Sequence, residues 1–195
     1  MSDFTLTIEI RKPSYAQNKT VRDSISRSLW NSVRKQVLKE NDFQCQICGF
    51  HDEEKLHAHE VWEYDEDKFL LILKKIQPLC RSCHDLKHLH HVGHRMKDRK
   101  FSDFVMRRLK EHFMKVNECS ENDFTRHYRN QLAKSHAEPV QRSMEDLLEL
   151  RRLREREAFL KEQEWKFVIG KDVPLANEME ADLDKKGILY ERDLQ

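Results

Sequence analysis

The stretch Cys45-Gln46-Ile47-Cys48 is answered downstream by Cys80-Arg81-Ser82-Cys83-His84-Asp85-Leu86-Lys87-His88. Two CxxC corners supply four thiolates, the donor set that a tetrahedral zinc ion takes in a closed structural site. Each corner closes a tight turn on one edge of the metal, so the chain between them is stapled into a loop. Gly49 directly follows the first corner, where a residue without Cβ relieves the crowding of the turn. Four sulfurs complete one zinc, which leaves His57, His59, His84 and His88 for a second task.

Composition bounds the rest. Of 195 residues, 38% are apolar and 36% charged, with four glycines and four prolines, a helical and well-solvated profile whose small core relies partly on metal. No run approaches the roughly 18 uninterrupted apolar residues of a membrane span. Met1-Ser2-Asp3-Phe4-Thr5-Leu6 lacks the basic start and apolar stretch of a signal peptide. A reducing cytoplasm is the expected location, and there paired CxxC motifs read as metal sites rather than disulfides. Cys119, the fifth cysteine, reads as a buried or idle thiol.

The net charge of +1 hides segregation. Residues 11–40 hold eight Lys/Arg against two acids, and residues 86–110 again hold eight against two. Between them, residues 52–67 carry eight acids and one lysine. Two basic flanks around an acidic loop suit a polyanion held on either side of a cation-dependent centre. Each flank alone is equally well read as a solvated helix face.

Phe4, Leu6, Ile8 and Ile10 alternate with polar residues and predict a short strand. Asp23 or Ser24 is the expected cap of a helix to about Glu40, with Ile25, Leu29, Val33 and Val37 on one stripe and Trp30 in the core. Leu56 to Trp62 and Phe69 to Leu73 read as strands, Pro78 as a break, and a helix is expected from about Cys83. Phe101 to Val116 is amphipathic, and Ser120-Glu121-Asn122-Asp123 resembles a capping box for a helix to about His136. Val140 to Val168 reads as one long charged helix, and the acidic stretch from Lys171 as a loosely docked or partner-binding tail. The expected segments are 1–40 (strand and helix), 41–100 (zinc domain), 101–168 (helical extension) and 169–195 (acidic tail).

From Cys45 to His88 the order is C-x2-C, His57-Ala58-His59-Glu60, then C-x2-C-His-x3-His. This resembles the HNH endonucleases, in the branch whose ββα-metal core is carried on a four-cysteine zinc knuckle. The resemblance covers about 45 residues of the 195. It implies an α+β, mostly helical chain with a treble-clef-like core, Cys45, Cys48, Cys80 and Cys83 on structural Zn2+, and a helical C-terminal extension. It also implies DNA as partner, and a phage, mobile-element or bacterial defence setting.

Carried over residue by residue, His59 is the expected general base. His84 and His88, four apart on one helix face, are the expected ligands of Mg2+, Mn2+ or another divalent cation, with His57 a further candidate ligand. Lys75, Arg95, Lys97, Arg99 and Lys100 are candidate phosphate contacts, with Arg34 and Lys35 on the first helix beside them. The chain departs from the pattern twice: Ala58 stands where the family commonly places a ligand, and Lys75 where it places an asparagine. Glu60 falls on the strand face opposite His59 unless a bulge intervenes, and Asp65 or Asp67 could reach in from the loop. Two functions therefore stand open: a metal-dependent DNA endonuclease, or a non-catalytic zinc module that binds nucleic acid or, through the long helix and acidic tail, a protein partner.

Overall fold

A computed structural model describes residues 4–10, 12–89, 92, 99–134 and 144–191. Its architecture is α+β. Helix α1 (Val21–Ser24) leads into α2 (Arg27–Glu40), and the hairpin β1 (His57–Asp65) and β2 (Leu70–Leu79) follows. Next come α3 (Arg81–Lys87), α4 (Arg99–Asn117), α5 (Glu121–Lys134), α6 (Met144–Glu162), β3 (Lys166–Ile169) and α7 (Ala176–Asp184). The sheet order is β1-β2-β3, with β1 antiparallel and β3 parallel to β2.

The hairpin register determines which residues share a face. Val61 pairs with Lys75 but Trp62 pairs with Leu73, so Lys74 is an extra, unopposed residue. This bulge shifts the alternation of β2 by one position. Leu71 and Leu73 before it, and Ile76 after it, then join Ala58, Trp62 and Tyr64 in one core with α2 and the C-terminal elements. The opposite face carries His57, His59, Gln77 and Leu79 in cross-strand pairs. Leu79 belongs to a second core, with Cys45, Cys80, Cys83, Leu86, Phe113 and Phe124. Val37 and Leu38, adjacent on α2, sit in one core each.

Several expectations change. Residues 4–10 form no ladder with a strand among the described residues, although Leu6 and Ile8 are fully buried. The period-two pattern marked burial correctly, but the backbone is satisfied by helix-borne groups. Asn117 grips Leu6 through both N–H and C=O (2.9 Å each), and Ile8 N–H donates to His127 Nε2 at 3.0 Å. The first helix is broken at Ile25, and its caps are Thr20 and Ser26 rather than Asp23 or Ser24. Pro78 lies inside β2 opposite Ala58. There β2 has β1 on one side only, β3 having ended opposite Leu73, so a residue without N–H is tolerated. The Ser120–Asp123 box does cap α5.

The long helix ends at Glu162, and the residues beyond it turn into strand. Phe167 and Ile169 alternate with Lys166 and Val168, a period-two signal hidden at the end of a charged helix. Trp165 Nε1 donates to the Leu160 carbonyl at 2.8 Å, satisfying a helix-end acceptor while its ring enters the core. The acidic stretch is not loosely docked through Glu191: α7 buries Met179 and Leu183 completely, and Asp182 accepts from Ser26 N–H at 3.1 Å.

β3 reaches the bulge through Gly170, whose N–H donates to the Leu73 carbonyl at 2.8 Å. A Cβ there would stand 2.8 Å from that oxygen and 2.9 Å from the Lys74 carbonyl. Both are backbone atoms of a central strand and move only with the sheet. Gly170→Ala is therefore expected to destabilise the chain by about 1–3 kcal/mol, read as a lower urea midpoint with an unchanged m-value.

Candidate metal centres

The first cysteine corner is built by backbone bonds. Cys45 N–H donates to Phe50 O and Gly49 N–H to Cys45 O, both at 2.9 Å, with a bridge between Gln44 and His51 closing the turn. Gly49 has φ +72°, a left-handed conformation that a side chain would strain. The second corner is the start of α3, where Cys80 is the N-cap and its sulfur accepts from Cys83 N–H at 3.5 Å. Gln46 N–H donates to Pro78 O at 3.0 Å and ties the two corners together.

The four Sγ atoms lie within 4.8 Å of one another, and Cys48 and Cys80 are 3.6 Å apart. Zinc–sulfur bonds of about 2.3 Å give tetrahedral edges of about 3.8 Å, so the residues fit a zinc ion. Sulfhydryl donation from Cys80 and Cys83 lowers the pKa of Cys45, and the same hydrogen bonding to Cys45 raises those of Cys80 and Cys83. Four thiolates this close together would require a cation among them.

Sequence reasoning missed His112. It projects from α4, and its Nε2 is 3.1 Å from Cys83 Sγ. With a metal ion on the four sulfurs Cys83 would be a thiolate, which can only accept, and Nε2 would then be the donor. This bond links α4 to the zinc corner, and no spacing rule joins residues 83 and 112.

Beside the sulfurs lies a nitrogen cluster. His59, Gln77 and their neighbours face α3, and His84 and His88 approach from that helix and its C-cap. One nitrogen from each of His59, His84 and His88 falls within 4.8 Å of the others. His59 Nδ1 and His88 Nε2 are 3.2 Å apart, against about 3.4 Å between two nitrogens on a tetrahedral ion with bonds near 2.05 Å. His57 stands outside the three and stacks on His84, ring centroids 4.5 Å apart and nearly parallel. His59 is 5% exposed. Burial, then the positive charges of His88 and His84, lowers its pKa to about 2, which keeps the imidazole neutral, with its lone pairs available to a cation.

Other sequence candidates are placed as follows. Lys75 is exposed on β2 opposite Val61, whereas Gln77 is the buried amide directly across from His59. Glu60 points to the opposite face, where it accepts from Arg22 N–H at 2.9 Å and Trp62 Nε1 at 3.2 Å. Asp65 is committed to its own turn, accepting from Asp67 and Lys68 N–H. Arg95 and Lys97 lie outside the described residues, as do the side chains of Arg99 and Lys100 at the start of α4. Cys119 is half-buried at the edge of the second core. No helix among the described residues is long and apolar enough to cross a membrane.

Two cavities flank the histidines. One of about 250 Å³ is lined by His59, His88, Lys12, Lys87, Glu60 and Tyr64 among others. Another, of about 1010 Å³, reaches His57 and His84 from the α2 side. No family model, curated protein or solved structure matches this chain.

Two substitutions separate the role of the sulfur group from that of His112. Cys80→Ser is expected to abolish the cooperative unfolding transition, because zinc coordination contributes folding free energy directly. His112→Ala is expected to keep the fold but to release zinc to a chelator about 10-fold faster or more, followed with a colorimetric zinc indicator.

Proposed function

We propose that this chain is a metal-dependent endonuclease of the HNH type, hydrolysing DNA phosphodiester bonds on a ββα-metal core carried by a four-cysteine zinc knuckle. One observation carries the reading: imidazoles from a β-hairpin and the following helix converge within 4.8 Å, on the same helix whose first turn belongs to the four-sulfur group. Such a hairpin and helix, held in register by sulfur, is the arrangement that the Cys45–His88 motif resembles.

In this reading His84 and His88 hold the cation and His59 is the general base. A divalent cation bound there would stabilise charge on the phosphoryl group and the leaving oxygen. Its Nδ1 faces His88, leaving Nε2 for a substrate water; burial opposes protonation of this ring, and the negative charge of a bound phosphodiester would offset that cost. Gln77, across the hairpin, is the amide positioned to orient that ring, in place of the asparagine expected at Lys75. The donor set is all imidazole among the described residues, which suits Zn2+ or Ni2+ better than the oxygen-seeking Mg2+.

The second reading is a zinc module that binds nucleic acid or a protein without cutting. The burial of His59, together with Ala58, favours it, since a base must meet water.

Supercoiled plasmid incubated with Zn2+, Ni2+, Mn2+ or Mg2+ separates the two, beside a chelator control. The nuclease reading expects nicked or linear product, lowered about 100-fold or more in His59→Ala. Cleavage untouched by that substitution removes His59 as base. Intact DNA binding with no product under any metal favours the second reading.

A further inference from the structure

The larger cavity, about 1010 Å³, is lined by Arg22, Arg27, Arg34, Lys55 and Arg81 against two acids, Asp23 and Glu54. These cations come from three separate parts of the chain: α1 and α2, the loop before β1, and the first turn of α3. The cavity ends at His57 and His84, so it leads directly to the nitrogen cluster.

Most of its charges are not paired within the protein. The side chains of Arg22 and Arg27 make no ion pair or hydrogen bond among the described residues, Lys55 acts on Asp52 only through space, and all three are exposed. Arg34 is held in place by carbonyls instead of acids, donating to Leu56 O at 2.9 Å and Glu54 O at 3.4 Å, so its charge stays uncompensated. Arg81 shares Asp85 but leaves most of its side chain in solvent. Asp23 is occupied by the Thr20 cap.

The apolar wall residues Ile25, Trp30 and Leu56 are buried beneath this surface. They offer neither the desolvated anchor of a protein interface nor a ring on which a base could stack. An open, cationic groove whose large apolar residues are buried matches a phosphodiester backbone.

We propose that this cleft is the track of the nucleic-acid backbone, gripping a DNA duplex by charge without reading its sequence, and that Arg22, Arg27 and Lys55 are its phosphate contacts. The inference rests on the nuclease reading for the direction of the track, and its binding arm is independent of cleavage. The flank 86–110 is not needed for it.

The test is fluorescence anisotropy of a labelled DNA duplex of about 20 base pairs titrated with the zinc-loaded full chain, without added metal, over a series of salt concentrations. Arg27→Gln with Lys55→Gln should weaken binding on the order of tenfold and lower the salt slope by about 2. Lys39→Gln with Lys171→Gln is the control. It removes the same charge from exposed positions outside the cleft, and should change affinity less than about twofold. Two unrelated duplex sequences should behave alike. Equal weakening by both pairs, no weakening by the cleft pair, or no binding by the wild-type chain overturns the assignment. If the cleft pair binds normally while plasmid is still cut, the cleft assignment falls and the nuclease reading stands. If the cleft pair alone loses binding while no plasmid is cut, the cleft assignment stands and the nuclease reading falls.

Discussion

Cys48 and Cys80 hold their sulfurs 3.6 Å apart, with Cys45 and Cys83 close by, a distance at which thiolates repel unless a cation sits among them. That constraint joins the turn at Gly49 to the first turn of α3. Because Cys83 and His84 are adjacent, the same turn that presents sulfur to one centre presents nitrogen to the next. The histidine group is thereby placed by the same helix turn as the sulfur group, and the second core, with Leu86, Phe113 and Phe124, packs around the cysteines.

The other organising feature is the unopposed Lys74. Without it, the alternation of β2 would bring Leu71 and Leu73 to one face and Ile76 to the other, and the sheet could not serve two cores. The bulge also decides which amide meets His59. Counting back from Cys80 selects Lys75, whereas the register selects Gln77. Gly170 then brings β3 against the bulged segment at a distance that only a residue without Cβ permits.

Charge divides along the same architecture. On α7 the acids face outward while Met179 and Leu183 enter the core, so an acidic stretch became a structural element. On α6 most side chains stay in solvent, and Arg156 reaches Glu66 in the β1–β2 turn at 2.6 Å. A paired charge run of this kind is a solvated surface. The cations around the larger cavity differ because most of them have no acid opposite.

Local spacing determined the four-sulfur group, the knuckle glycine and the convergence of His84 and His88, since donors two, three or four residues apart are fixed by turn and helix geometry alone. It also marked the buried positions Leu6, Ile8, Val33 and Val37 and the cap of α5. Tertiary structure decided what local spacing cannot encode. It gave residues 4–10 helix-borne partners in place of a strand, turned Lys166–Ile169 into the third strand, and set Gln77 against His59 and His112 against Cys83. It also drew cations from three segments into one cleft. Each of these depends on which distant surface a segment finds and on a one-residue shift in register, and such long-range choices are made by packing.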